Sequence, residues 1–225
     1  MSPFFVLALL AMIIDWVGRL RSNKLLEYVG KPLAIVFLLA WLVQRTHLAG
    51  GAVWFAIALA LSLVGDILLM LPSERFDGGL AAFFLAHLAY IVGFNLSPAP
   101  FELPALGLAA VLVALGAWVY ARLSAGVRAI GKPALQAPLL LYSMVLAAML
   151  FSAVQCLSRP AWGIPAALLV SLGAGLFFLS DTLHAWNKFV RPLRLARILV
   201  HVTYHLAQLG ITAGVILHFS GSLTV

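Results

Sequence analysis

The chain has 225 residues, of which 64% are hydrophobic and only 9% are charged, and its net charge is +7. Its mean hydropathy of +1.10 is far above that of a water-soluble domain. The composition therefore excludes a soluble globular protein and leaves few residues for a domain outside a membrane. The single cysteine, Cys156, excludes an internal disulfide and a cysteine-based zinc site.

The first apolar run begins MSPFFVLALLAMIIDW, with no basic residue ahead of it. A signal peptide needs a positive leading region and a small-residue cleavage site, so we interpret this run as a retained helix. The net positive charge fits basic loops that contact anionic lipid headgroups. We expect membrane lipids around the chain and no cofactor. We also expect no nucleic-acid partner, because no soluble domain is left to read a nucleic-acid groove.

Apolar runs long enough to cross a bilayer predict eight transmembrane helices. The first two are short for a full span, which indicates tilt or a partly interfacial position. The sequence thus predicts an all-α, polytopic membrane bundle that forms a single integral membrane domain over residues 1–225. The predicted spans are 3–18, 31–45, 52–71, 79–96, 103–122, 134–156, 163–184 and 197–219.

The basic residues alternate from one side of the predicted membrane to the other. Loops 19–31, 72–78, 122–133 and 185–197 hold 12 of the 14 lysines and arginines, and the opposite side holds only Arg45 and Arg159. The positive-inside rule places the four basic loops in the cytoplasm and both termini outside. We expect a multi-pass protein of the bacterial inner (plasma) membrane.

Three short segments of the first half recur in the second half. GKPL at 30–33 matches GKPAL at 131–135, GD at 65–66 matches SD at 180–181, and AHLAY at 86–90 matches YHLAQ at 204–208. Half-repeats over 1–100 and 101–225 would each hold four helices. An even number of helices gives both halves the same orientation, so we predict a parallel 4+4 pseudo-repeat.

Two carboxylates interrupt otherwise apolar helices at corresponding places in the halves. Asp66 lies in ALALSLVGDILLML and Asp181 lies in SLGAGLFFLSDTLHA. An acidic side chain at membrane depth costs about 3 kcal/mol on insertion scales. These two aspartates are therefore the first candidates for functional residues.

Further polar residues fall at a similar depth in the cytoplasmic half of the predicted bundle. Lys31 and Lys132 are predicted to open helices 2 and 6, each followed by a proline suited to a first helical turn. We predict that the whole set surrounds one polar cavity open to the cytoplasm. Its other members are Asp66, His87, Tyr90, Tyr142, Asp181, Tyr204, His205 and Gln208.

Each of these residues also has a purely structural interpretation. Asp66 and Asp181 could lock helices together by pairing with Lys31, Lys132 or a histidine. His87 could simply donate a hydrogen bond between helices, as polar residues in membrane bundles do. Tyr90 and Tyr142 could be packing aromatics.

Over about residues 30–214 the chain resembles the YhhN-like lysoplasmalogenase family. The resemblance rests on KPL (31–33), SLVGDILLM (62–70), GLAAFFLAHLAYIVGF (79–94), GAGLFFLSD (173–181) and TYHLAQ (203–208). It departs at His205, where the family more often has a second tyrosine. The resemblance implies a membrane hydrolase whose substrate is a lysophospholipid with an sn-1 vinyl ether. The products would be a fatty aldehyde and glycerophosphocholine or glycerophosphoethanolamine.

The candidate residues suit that reaction. Hydrolysis of a vinyl ether needs an acid that protonates the β-carbon, a carboxylate that stabilises the oxocarbenium ion, and a positioned water. We expect Asp66 and Asp181 to divide the first two roles, in either order, with His87 beside them in the catalytic group. Lys31 and Lys132 would hold the phosphate. The other substrate-binding residues would be Tyr90, Tyr142, Tyr204, His205 and Gln208.

Two other functions stay open at this point. Two aspartates and two histidines could form the metal site of a metal-dependent hydrolase, although no HExxH motif is present. Alternatively, the chain could be a proton-coupled transporter or a lipid-binding membrane protein without hydrolase activity. Headgroup preference and oligomeric state cannot be read from the sequence.

Overall fold

A computed structural model describes residues 2–71, 75–100 and 103–220. All regular structure in these ranges is helical, and each of its eight long helices is long and apolar enough to cross a membrane, which confirms the predicted all-α bundle. Residues 72–74 of the predicted loop 72–78 lie outside the described residues. The helices are α1 Pro3–Leu20, α2 Lys24–Thr46, α3 Ala52–Met70, α4 Phe76–Phe94, α5 Leu103–Ala129, α6 Gln136–Val154, α7 Ile164–Phe189 and α8 Ala196–Ser220.

Helix α2 begins seven residues before the predicted start, so the prediction that Lys31 opens it is wrong. The side chain of Asn23 accepts hydrogen bonds from the backbone N–H groups of Leu25 and Leu26 and caps the helix there. Pro32 consequently lies inside the helix rather than in its first turn. The 23-residue helix is also longer than the short span predicted, and Lys31 lies on its wall rather than at its end.

Two helices of the second half extend further toward the basic loops than the apolar runs indicated. Helix α5 continues to Ala129 and α7 continues to Phe189, each past the predicted end. Before α6, residues Pro133–Leu135 form a short 3-10 turn, so Lys132 precedes that turn rather than the helix itself. The helical ends of α5 and α7 therefore enclose the basic end of the bundle.

Neighbouring helices pack mainly as antiparallel hairpins, and α1–α2, α3–α4 and α7–α8 are the most extensive pairs. The first and second halves meet where α2 packs on α8 and where α4 packs on α6. These two contacts would exchange under the proposed 4+4 repeat, which itself stays a prediction. The arrangement places Asp66 of α3 and Asp181 of α7 at the same end of the bundle.

The backbones of α7 and α8 approach each other closely at glycines. A Cβ atom at Gly173 would lie 2.8 Å from the carbonyl oxygen of Ala207, and one at Gly214 would lie 2.7 Å from that of Ala166. Real Cβ atoms do not come so close, so only glycine fits there. Small residues at a helix interface allow this packing in a bilayer, where van der Waals contact replaces the hydrophobic driving force.

Both described ends of the chain lie at the end of the bundle opposite the basic loops. Ser2 donates a hydrogen bond of 2.5 Å to Gln44, close to the end of α2, and the ring of Phe219 packs on Phe55 of α3. The two termini thus share one side, as an even number of spans requires. Their placement outside the cell remains a prediction from the charge pattern.

Candidate active site

Polar side chains from several helices border one cavity of about 240 Å³. Its walls come from the C-terminal halves of α1, α3, α5 and α7 and the N-terminal halves of α2, α4, α6 and α8. The basic loops join these ends, so the cavity lies at the basic end of the bundle. Its polar and charged walls include Arg19, Lys31, Asp66, Tyr142, Asp181, Arg197, His201 and Tyr204.

Asp66 is completely buried and has a charged partner. Lys31 Nζ of α2 lies 2.6 Å from Asp66 Oδ1, and the Tyr204 hydroxyl of α8 donates a 2.7 Å hydrogen bond to Oδ2. The ammonium also lies 5.1 Å from the centre of the Tyr204 ring, a cation–π contact. An ammonium and a hydroxyl donor both stabilise the ionised form, so the geometry favours Asp66 as a carboxylate. The ion pair also joins α2 to α3, as the structural interpretation predicts.

Asp181 has different neighbours. The Tyr142 hydroxyl of α6 donates a hydrogen bond to Asp181 Oδ2. His87 Nε2 of α4 lies 3.6 Å from the same oxygen, beyond hydrogen-bonding distance. The other nitrogen of that ring, Nδ1, is 2.5 Å from the carbonyl oxygen of Phe83 and must donate to it. When His87 is neutral, its Nε2 turns a lone pair toward Asp181 and brings no positive charge, unlike Lys31 beside Asp66.

A chain of polar side chains continues behind the cavity. Tyr90 donates a 2.5 Å hydrogen bond to Gln208 Oε1, and Gln208 Nε2 lies 3.5 Å from the Tyr204 hydroxyl. Tyr90, Gln208 and His87 are buried but do not line the cavity. They are therefore placed to orient Tyr204 and Asp181 rather than to touch a molecule in the cavity.

Two further predicted substrate-binding residues also lie away from the cavity. Lys132 is exposed in the connection before α6. His205 is fully buried, and its Nδ1 accepts a 3.0 Å hydrogen bond from Trp16, a residue that its position near a helix end would otherwise assign to the membrane interface. Their predicted contact with substrate has no support from this geometry.

Sequence reasoning missed another buried acid, Asp15 of α1. Its Oδ2 accepts a 2.6 Å hydrogen bond from His201 Nδ1 of α8, because Arg19 Nε donates to the other nitrogen of that ring at 2.8 Å. Arg19 also forms a 2.9 Å ion pair with Glu27. Arg19 and His201 line the cavity, so this cluster supports one of its walls. The signal was available, since Asp15 interrupts the first apolar run as Asp66 interrupts the third.

Among the described residues, no three His, Cys, Asp or Glu side chains come together in a group able to hold a metal ion. The two aspartates and the two histidines of the suggested metal site are divided between separate contacts. Asp66 meets Lys31, whereas His205 meets Trp16 on the far side of α8.

Comparison with known proteins identifies the group of proteins to which the chain is related. The model of the YhhN family matches residues 26–215, most of the chain. This chain belongs to the YhhN family. The match spans every helix that contributes to the cavity except α1, which it leaves out.

Curated relatives of this YhhN protein come from animals and bacteria. It is 35% identical to lysoplasmalogenase TMEM86B of Sus scrofa over 224 residues, which cover 96% of this chain and 85% of the pig protein. It is 30% identical to the Rattus norvegicus protein of the same name, over 94% of this chain and 82% of the relative. A lysoplasmalogenase of Mycobacterium tuberculosis is 32% identical over 72% of this chain and 59% of the relative. No solved structure matches the chain.

Proposed function

We propose that this YhhN protein hydrolyses the sn-1 vinyl ether bond of lysoplasmalogens to a fatty aldehyde and glycerophosphocholine or glycerophosphoethanolamine. The observation that carries the proposal is that two carboxyl groups border one cavity, one paired with a lysine and the other beside a histidine. Relatives named lysoplasmalogenase support the same reaction. The bacterial inner membrane stays the predicted location.

Asp181 is the proposed general acid. It faces the lone pair of His87 and the hydroxyl of Tyr142, and its side chain is 17% exposed, whereas that of Asp66 is fully buried. An acid must reach the β-carbon of the vinyl ether to protonate it, so partial exposure to the cavity suits this role. His87 and Tyr142 act as positioning residues that hold the carboxyl group in place.

Asp66 is the proposed carboxylate that faces the developing positive charge. Its pairing with Lys31 and Tyr204 keeps it ionised before substrate arrives. Negative charge fixed in a water-poor cavity stabilises an oxocarbenium ion more strongly than it would in water. The same carboxylate can accept a proton from the water that attacks the cation.

The reaction then balances in three steps. Asp181 gives its proton to the β-carbon, and the adjacent carbon becomes an oxocarbenium ion bonded to the ether oxygen. Water adds to that carbon and loses a proton to a carboxylate, which forms a hemiacetal. The hemiacetal hydroxyl then loses its proton to a carboxylate as the bond to the glycerol oxygen breaks, the glycerol oxygen takes up a proton, and the aldehyde leaves. No net proton is consumed, and one water molecule is used.

The mouth of the cavity suits a phosphate group. Arg19 and Arg197 line it together with His184, and all three lie at the end of the bundle that carries the basic loops. Arginine binds phosphate oxygens through several donors at once. By the positive-inside rule this mouth opens to the cytoplasm. Lys31 is bound to Asp66, and Arg19 is bound to Glu27 and His201, so Arg197 takes the role first predicted for lysine.

The deciding experiment uses purified protein in detergent, lysoplasmenylcholine in deuterium oxide, and immediate reduction of the released aldehyde to an alcohol. We expect product with one deuterium on the second carbon, because the proton added to the β-carbon comes from solvent through Asp181. The matched 1-O-alkyl lipid has no double bond to protonate and should give no product. The double variant D66N/D181N should be inactive.

The outcomes separate the competing functions. No aldehyde from folded wild-type protein would overturn the hydrolase proposal. If the protein still bound the lipid tightly, the lipid-binding alternative would replace it. Aldehyde without deuterium on the second carbon would overturn the protonation step while leaving the activity intact. Loss of activity with a chelator, restored by a divalent metal, would favour the metal-dependent alternative.

A further inference from the structure

A second cavity of about 400 Å³ lies between α5 and α6. Nearly all the side chains around it are apolar, in contrast to the polar cavity beside it. This second cavity, the α5–α6 groove, is lined by residues that include Ala109, Leu112, Val113, Ala117, Met144 and Phe151. Its chemistry fits a hydrocarbon chain and not a headgroup.

The groove and the polar cavity meet at two residues. Gly116 of α5 and Ser143 of α6 line both of them. A Cβ atom built on Gly116 would find no heavy atom within 4 Å, so the junction is open space. Tyr142, which holds Asp181, directly precedes Ser143 in the chain. A molecule with its reactive bond at Asp181 can therefore extend into the groove past Gly116.

The groove also faces outward, toward the lipid. Val113 is 69% exposed and Met144 is 60% exposed, although both line the groove. Helix α5 is the least buried of the eight spans, since only 17% of the residues in its most apolar stretch are buried inside the bundle. In a bilayer such exposed apolar surface contacts lipid chains, so a chain can pass from the bilayer into the groove without crossing water.

The length of the groove corresponds to one leaflet. Its α5 wall runs from residue 109 to residue 120, which is about 16 Å at 1.5 Å per residue. Half of a typical hydrocarbon core is about 15 Å thick. The groove therefore suits a lipid with one chain in the cytoplasmic leaflet, and a lysolipid has one chain.

We propose that the α5–α6 groove binds the alkenyl chain of the lysoplasmalogen, which enters sideways from the bilayer and passes Gly116 with its vinyl ether at Asp181. This inference rests on the proposed function and names the chain subsite of the same active site. It makes Gly116 a determinant of specificity for chain length. A long chain gains contact along the groove, and a very short one does not reach it.

The test blocks the junction. G116L fills the open space, and G107L places the same side chain on the same helix, also at a glycine with no atom within 4 Å, but outside the groove. Aldehyde release is measured with a hexadecenyl and a butenyl lysoplasmenylcholine. We expect G116L to lower kcat/KM for the hexadecenyl lipid at least tenfold more than it lowers kcat/KM for the butenyl lipid. G107L should match the wild type on both.

A second measurement does not depend on catalysis. A saturated hexadecyl-ether lysophosphocholine with a diazirine at the end of its chain is bound, irradiated and mapped by mass spectrometry. We expect labels within residues 109–117 and 144–151, lost in G116L and kept in G107L.

The results distinguish the two proposals. Labels on other helices, or equal hexadecenyl kinetics for G116L and G107L, would overturn the groove as the chain subsite even in an active enzyme. If the wild-type protein released no aldehyde but was labelled in the groove, the hydrolase proposal would be overturned. The groove would then be a lipid-binding site without hydrolase activity.

Discussion

Asp66 of α3 and Asp181 of α7 border the same cavity, yet their surroundings differ in charge. Asp66 pairs with the ammonium of Lys31 on α2 and accepts a hydrogen bond from the hydroxyl of Tyr204 on α8. Asp181 accepts a hydrogen bond from the hydroxyl of Tyr142 on α6. Nε2 of His87 on α4 lies 3.6 Å away and brings no positive charge when the ring is neutral. Under the predicted 4+4 repeat, the helices that supply the partners would correspond in the two halves and differ only in residue type. In the proposed mechanism, one lysine and one histidine then give two equal acids different protonation states.

The two carboxyls also differ in access. The side chain of Asp66 has no exposed surface, whereas that of Asp181 is 17% exposed toward the cavity. A buried ion pair fixes charge and position, and an accessible acid can exchange its proton with a bound molecule. The four predictions below test this division of labour, from the largest expected effect to the smallest.

The first prediction removes the proposed acid. D181N keeps the shape of the side chain but has no proton to give, so we expect aldehyde release to fall by about 10³- to 10⁴-fold, the upper part of the range for general acids. The rate is measured in single turnover with lysoplasmenylcholine. An unchanged elution profile on size-exclusion chromatography serves as the control for folding. A loss below tenfold would assign the proton to another group.

The second prediction separates charge from position at Asp66. K31M leaves a buried carboxylate without its cation, which typically costs about 3–5 kcal/mol. We expect a lower Tm in detergent for K31M and recovery of most of that loss in K31M/D66N, where both charges are absent. Equal Tm values for the single and double variants would show that Asp66 is not ionised in the folded protein.

The third prediction compares the two tyrosines. Y142F removes the hydroxyl that positions Asp181, and a hydrogen bond between uncharged groups contributes about 0.5–1.5 kcal/mol, so we expect a loss of kcat of up to about tenfold. Asp66 keeps Lys31 in Y204F and stays in place, so the loss there should be smaller, about threefold. Greater damage from Y204F would reverse the assigned roles. Lipid KM, measured in parallel, should change little in Y142F.

The smallest effect is expected at the lysine that the repeat pairs with Lys31. Lys132 is exposed and borders no part of the cavity, so K132M should alter activity by less than about twofold, as for a typical surface substitution. K31M is the matched change at the other lysine. A large effect of K132M on KM would return that residue to the phosphate site first predicted for it.

The sequence was informative about the spans and about the two acids, because both depend on local composition. Eight apolar runs predict eight helices, and a carboxylate in such a run is conspicuous wherever it lies. The start of α2 was missed because Pro32 resembled a first-turn proline, whereas the Asn23 cap decides the boundary. Asp15 was missed although the rule applied to Asp66 would have found it.

The partners of each acid could not be read from the sequence. The contact between Lys31 and Asp66 depends on how α2 is rotated against α3, which is set by packing over both helices. The same is true of His205, whose bond to Trp16 crosses from α8 to α1. The open space at Gly116 exists only between helices, and a glycine in an apolar run gives no sign of it.

The glycine contacts between α7 and α8 have a mechanical consequence. The close backbone contacts at Gly173 and Gly214 leave no room for α7 to slide along α8, so we expect this hairpin to be rigid. Asp181 lies on α7 and Tyr204 on α8, so the hairpin carries both residues. Helix α5, the least buried span, supplies another part of the cavity wall. We expect the distance between Asp181 and Tyr204 to stay constant as a lipid binds.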